Sequence, residues 1–290
     1  MASEETPTFR TVQSPLRNCP PIGRDEPLAF VGSCFSDSVG ALLARDGFDV
    51  SVNAMGALYN PMSMARVLAR ALEVRPYTAE DLVRDDSGVW HCLDFESRRQ
   101  NSDVAALLET LNADFLAFSN ALRRAKVWVV TFGTAWVFRL RQNGHIVGNC
   151  HKFPAAAFER YRVTPDEIVR AWEPLCRGRR IIFTVSPIRH LADGLHGNTL
   201  SKAVLHLAVD SLCGSFPDNV LYFPSFEILM DDLRDYRFYA DDMKHPSDVA
   251  VAYIYDIFSR TFFTAQTRRL AAEYERQARR LAHRPILPDR

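Results

Sequence analysis

Five short apolar runs, each followed by a helical pattern, constrain this chain more than any other feature. They are Leu28–Val31, Phe48–Val52, Val127–Phe132, Ile181–Val185 and Val220–Phe223. Strands this apolar are covered on both faces, and strands separated by helices pair in parallel. Between them, helical periodicity runs from Ser36 to Asp46, Pro61 to Leu72, Ala105 to Arg124, Pro165 to Leu175, Leu200 to Leu212 and Ser247 to Phe263. The expectation is an α/β fold with a doubly wound, five-stranded parallel sheet. Val137–Leu140 and His145–Val147 flank Asn143-Gly144 and predict a small β-hairpin insertion. Val89–Phe95 alternates weakly and predicts a short β element.

At 290 residues and 47% apolar, the chain has ample material for a buried core. Its 35 basic side chains balance 35 acidic ones, which gives no reason to expect nucleic acid or an anionic membrane as partner. Residues 1–25 read as an irregular lead-in, broken by Pro15, Pro20 and Pro21 and without a signal-peptide core. Residues 26–263 hold the alternating pattern and form the expected domain. Six cysteines without a CxxC pair point to free thiols, and with them to a cytoplasmic protein. Residues 264–290 form a basic helix and tail, with Leu270, Tyr274 and Leu281 as a thin apolar stripe. That stripe is too narrow for membrane adsorption; it suits packing on the chain's own domain or on a second subunit.

The first strand ends at Gly32-Ser33-Cys34 and leads into a helix. A strand–turn–helix of this kind lifts a small nucleophile onto the carboxyl edge of a sheet, where open α/β folds bind ligands. Cys34 and Ser33 compete for that role. Helix-start amides would favour a Cys34 thiolate, whereas free cysteines are also common as inert core residues. Some two hundred residues later, Asp242 precedes His245 by three positions, a spacing that lets a carboxylate orient a general base. Pro246 and Asp248 place His245 at the cap of the following helix.

A developing oxyanion needs donors aimed at it. The Cys34 amide, the Gly56 amide and the Gly133-Thr134-Ala135 turn all follow strands on the same predicted edge. Cys150-His151, His145 and His91-Cys92 are residue types that can bind zinc, but none has the paired spacing of a structural zinc site. Neither GxGxxG nor GxxxxGK[ST] occurs, so no metal and no cofactor is expected.

These residues carry a resemblance. Gly32-Ser33-Cys34-Phe35-Ser36 resembles the motif that names the GSCFA family. Tyr59-Asn60-Pro61-Met62-Ser63, Thr131–Trp136, Asn149-Cys150-His151-Lys152, Val185–His190, Leu200–Ala203, Leu233–Tyr239 and Asp242–Ser247 look like further signatures of it. That family is in turn similar to the SGNH/GDSL hydrolases. The resemblance implies a three-layer α/β/α sandwich, with Cys34 at the hydrolase nucleophile position and Ser33 at the position of its neighbouring Asp. It also implies Asp242 and His245 as the Asp-x-x-His pair and Gly56 as the oxyanion glycine. The hydrolases' Gly-x-Asn-Asp looks like Gly133-Thr134-Ala135-Trp136 here, so their oxyanion asparagine falls where this chain has Ala135. Asn60 and Asn149 are candidates to replace it, and His151 and Arg189 complete the set expected around the substrate.

Two functions of different classes follow. One is acyl transfer through a covalent Cys34 (or Ser33) intermediate, as an esterase, a deacetylase or an O-acyltransferase. Its partners are a glycan or small ester and, for transfer, a thioester donor. The other is a non-catalytic descendant that binds a glycan or a protein in the same cleft. A homo-oligomer through the C-terminal helix is a third expectation.

Overall fold

The structure, a computed structural model, describes residues 10–282. Residues 1–9 of the lead-in and 283–290 of the tail lie outside the described residues. The five expected strands form one parallel sheet: β1 (Leu28–Gly32), β2 (Val50–Val52), β3 (Val127–Phe132), β4 (Arg180–Val185) and β5 (Val220–Tyr222). Their order is β2-β1-β3-β4-β5, so the winding direction reverses between β1 and β3. A crevice opens at such a reversal, at the carboxyl ends of the strands.

Alternation along the strands explains the layering, because neighbouring side chains point to opposite faces. Ala29, Val31, Trp128, Val130 and Phe132 face one side. There they meet α2 (Pro61–Leu72), α3 (Val104–Arg124), α4 (Pro165–Cys176) and α5 (Gly194–Ser215). Leu28, Phe30, Val127 and Val129 face the other, against α1 (Cys34–Arg45) and α6 (Asp248–Phe262). The result is a three-layer α/β/α sandwich. Trp172 anchors the first layer: it is fully buried, edge-on to Phe132 and Phe183, and its indole N–H donates to the Pro61 carbonyl at 2.9 Å.

The departures are local. The hairpin insertion has a third strand, Phe158–Arg162, which pairs with Trp136–Leu140 opposite Ile146–Val147. Val89–Phe95 contributes only Trp90–His91, in a second small sheet with Val83–Arg84 and Gln100–Asn101. α5 begins at Gly194, six residues earlier than expected from its apolar face. His245 is not a cap residue: Ser247 caps α6, its hydroxyl accepting from the Ala250 amide. Pro246 instead bridges to Tyr239.

The lead-in docks on the domain. The Ile22 amide donates to the Phe262 carbonyl at 2.6 Å, and the Ile22 side chain is fully buried. The C-terminal helix α7 (Ala265–Ala282) also packs on its own chain. Ala271 is buried, Glu275 pairs with Arg45 at 3.5 Å, and the Tyr274 ring lies under the Arg24 guanidinium. No helix among the described residues is long and apolar enough to cross a membrane. All six cysteines are free thiols.

Candidate active site

The site begins with a close approach of two strands. At the end of β1, a Cβ on Gly32 would lie 2.4 Å from the Thr131 carbonyl oxygen of β3. Only glycine lets the chain turn there. Ser33 follows as the N-cap of α1, yet its side chain makes no cap hydrogen bond. Its hydroxyl is buried and donates to Ser186 Oγ at 3.1 Å, behind the site. The Cys34 and Phe35 amides therefore keep no acceptor in a side-chain cap, and both act to lower the Cys34 thiol.

Cys34 Sγ lies 3.4 Å from His245 Nε2. On the far side of the ring, His245 Nδ1 lies 2.5 Å from Asp242 Oδ2. The other carboxylate oxygen, Oδ1, accepts from the Lys244 and His245 amides at 2.9 and 3.0 Å. Asp242 thus folds its own loop into an Asx turn and holds the imidazole at once. These bonds keep its carboxyl well below the usual carboxylate range, led by the His245 amide and ring. The turn also holds Met243 at a left-handed φ of 57°. Sulfur, imidazole and carboxylate, remote in sequence, form one continuous line.

The thiol is not lowered as its helix-start position predicts. Burial and the Asp37 carboxylate push its pKa up, and they outweigh the Cys34 and Phe35 amides and the Tyr59 hydroxyl. At rest the group is a thiol that needs His245 to take its proton. Tyr59 itself is raised, chiefly by burial, and so stays a phenol with a proton to donate. It lies in the Tyr59–Ser63 segment, where no sequence signal singles out its hydroxyl as a partner of Cys34.

A cavity of about 730 Å³ opens over this line. Cys34, Tyr59, Thr134, Arg189, His190 and His245 are among the groups around it, with Trp136, Phe138, Val147, Ile188 and Leu191 as apolar wall. His190 is held down at about 4 by burial, Lys202 and His245 against a Gly133 backbone bond, so its ring is neutral. Lys202 is a second residue whose role is not legible in the sequence. Its buried amine, which burial holds down to about 7, donates to the Gly133 and Ser186 carbonyls, each at 2.7 Å, and ties the ends of β3 and β4 together.

The other expected residues divide sharply. The Gly133 and Thr134 amides donate to the Tyr59 carbonyl at 2.8 and 3.0 Å, so that turn positions Tyr59. The Gly56 amide is committed to the Asn53 carbonyl at 2.7 Å, and Gly56 lies outside the cavity lining. Asn60 lines the cavity, but its side chain caps α2 through Ser63 and donates to the Val147 carbonyl. Asn149 also lines the cavity, with its Oδ1 accepting from the His151 amide. His151 is buried away from it, between His91 Nδ1 at 3.1 Å and the Phe95 carbonyl at 2.8 Å. Among the described residues, no group of three His, Cys, Asp or Glu side chains is placed to hold a metal ion.

The model of the GSCFA family matches residues 27–258, most of the chain and every element of this site. The chain belongs to the GSCFA family. The match takes in the GSCFA motif at Gly32–Ser36 and the Asp242–His245 turn together. No curated protein and no solved structure matches the chain.

Proposed function

We propose that this GSCFA protein is an SGNH-like acyl-transfer enzyme with Cys34 as nucleophile, His245 as general base and acid, and Asp242 as the group that orients His245. The observation that carries this reading is the continuous Cys34–His245–Asp242 contact at the carboxyl edge of the sheet. His245 takes the thiol proton while Sγ attacks the acyl carbonyl. The Cys34 and Phe35 amides and the Tyr59 hydroxyl are the donors for the resulting oxyanion. The tetrahedral adduct collapses to acyl-Cys34, and His245 gives its proton to the departing alcohol or thiol. Water or a sugar hydroxyl, deprotonated by His245, then attacks the thioester and returns the thiol. In this assignment Tyr59 takes the place of the oxyanion asparagine. The apolar wall accommodates the acyl portion, and the substrate is a glycan or small ester, with a thioester as donor where transfer occurs.

Turnover of 4-nitrophenyl acetate and of an acetyl thioester, with and without carbohydrate acceptors, tests this. Cys34→Ala is expected to abolish turnover. Ser33→Ala, which removes only a buried bond to Ser186, stays within about tenfold of the native rate. Tyr59→Phe falls in between, about 10²-fold down, the loss typical of one oxyanion donor. Full activity in Cys34→Ala removes the proposed nucleophile. Absence of turnover by the native chain on every substrate points instead to a binding module.

A further inference from the structure

The charges around the cavity are uneven. Arg160, Arg189 and Lys244 line it, against a single carboxylate, Asp193. Arg160 is already committed: its guanidinium bonds to Asp193 and lies 4.4 Å over the Trp136 ring. Arg189 and Lys244 make no ion pair among the described residues. The Arg189 guanidinium lies 5.2 Å over the Tyr239 ring and reaches the Met230 sulfur at 3.8 Å, which leaves its charge uncompensated. The Asp242 carboxylate makes no ion pair with either cation; its oxygens accept from the His245 ring and the backbone of its own turn. The two residues are neighbours across their main chains, where the Arg189 amide donates to the Lys244 carbonyl at 3.4 Å, and both line the cavity. Lys244 is also the immediate neighbour of His245.

We propose that the cavity takes an anionic ligand, with a carboxylate or phosphate held between Arg189 and Lys244 while the reacting carbon faces Cys34. A guanidinium offers a planar fork to either oxyanion, and an ammonium adds a point charge beside it. Apolar side chains at Trp136, Phe138 and Leu191 border the cavity beside them. The inference deepens the acyl-transfer reading by naming the substrate's charge, and it rests on that reading only for the identity of the reacting group.

Alkylation of Cys34 by iodoacetate and by its neutral counterpart iodoacetamide separates charge recognition from catalysis. The two rate constants at Cys34 are measured on the full chain by peptide mass spectrometry, and their ratio is compared with that of N-acetylcysteine amide. The cavity is expected to raise the iodoacetate-to-iodoacetamide ratio at least tenfold over the free thiol. The double variant Arg189→Gln/Lys244→Gln brings it back to within about twofold, and using the ratio cancels any change in access to the sulfur. Inorganic phosphate and propionate, added as competitors, show by the concentration each requires whether phosphate or carboxylate is the preferred group. A native ratio equal to that of the free thiol overturns the proposal. So does a sulfur inert to both reagents, if calorimetric titration then shows no binding of phosphate or propionate. An inactive esterase with a raised ratio defeats the catalytic reading alone.

Discussion

Replacing His245 by alanine is expected to lower kcat/KM for an activated acetyl ester by about 10²- to 10⁴-fold, the range that a positioned general base supplies. Burial and Asp37 hold Cys34 as a thiol, and the variant lacks the imidazole that takes its proton at the moment of attack. The fold should hardly register the change. The His245 side chain is 46% exposed, and its side-chain contacts are Cys34 and Asp242. Truncation leaves an opening toward solvent, and added imidazole should recover part of the lost rate. Stopped-flow or steady-state assay with and without imidazole, beside a thermal melt, reads all three quantities. A native-like kcat/KM in this variant, with an unchanged melt, contradicts the role given to His245.

The second large effect concerns stability. Asp94 is buried and accepts from Arg66 at 2.5 Å, His145 at 2.7 Å and the Tyr77 hydroxyl at 2.9 Å. Burial works to raise its carboxyl, but Arg66, His145 and Tyr77 outweigh that and hold it at about 2. Asp94→Asn is expected to cost about 2–4 kcal/mol in chemical denaturation, below the loss for a fully buried pair because Arg66 and His145 remain 31% exposed. The pH dependence has a definite sign. A carboxyl near 4 in the unfolded chain and about 2 in the folded one contributes stability above pH 4. That contribution, roughly 2–3 kcal/mol, is lost as pH falls from 4 to 2, and the variant should lack this limb. Equal acid sensitivity in the two proteins counts against it. The site should loosen as well. The Gly148 and Asn149 amides donate to the Leu93 carbonyl, and a Cβ on Gly148 would meet the Asp94 carbonyl oxygen at 2.1 Å. Asp94 therefore anchors the strip that walls the cavity at Val147–Asn149.

How far sequence reaches in this molecule depends on whether a property is periodic. The five core strands are apolar on both faces and bounded by turns, so all five stood out, with β2 shortened at its start because Phe48 packs under Phe263. Phe158–Arg162 did not: four of its five residues are charged or tyrosine, and only Phe158 is fully buried. The first turns of α5 are not legible in sequence because Gly194, His196, Gly197 and Asn198 are poor helix formers, and tertiary contact overrides them. The Cys34–Asp242–His245 line was legible since Asp-x-x-His fixes its own geometry in a single turn. The amide donors were not, because a backbone N–H says nothing in sequence about its partner. Gly56 and Gly133 fall on the right edge and yet spend their amides on Asn53 and Tyr59. Tyr59 was hidden for the matching reason: its hydroxyl meets Cys34 only after the Gly133 turn fixes its backbone.

The central claim is a covalent one, and it is read most directly by peptide mass spectrometry of the native chain quenched in acid after brief exposure to S-acetyl-N-acetylcysteamine. The account predicts one acetyl group, localised to Cys34, that builds up quickly and leaves again when an acceptor is added. Acetylation at Ser33, or spread evenly over Cys19, Cys34, Cys150 and Cys213, would contradict it.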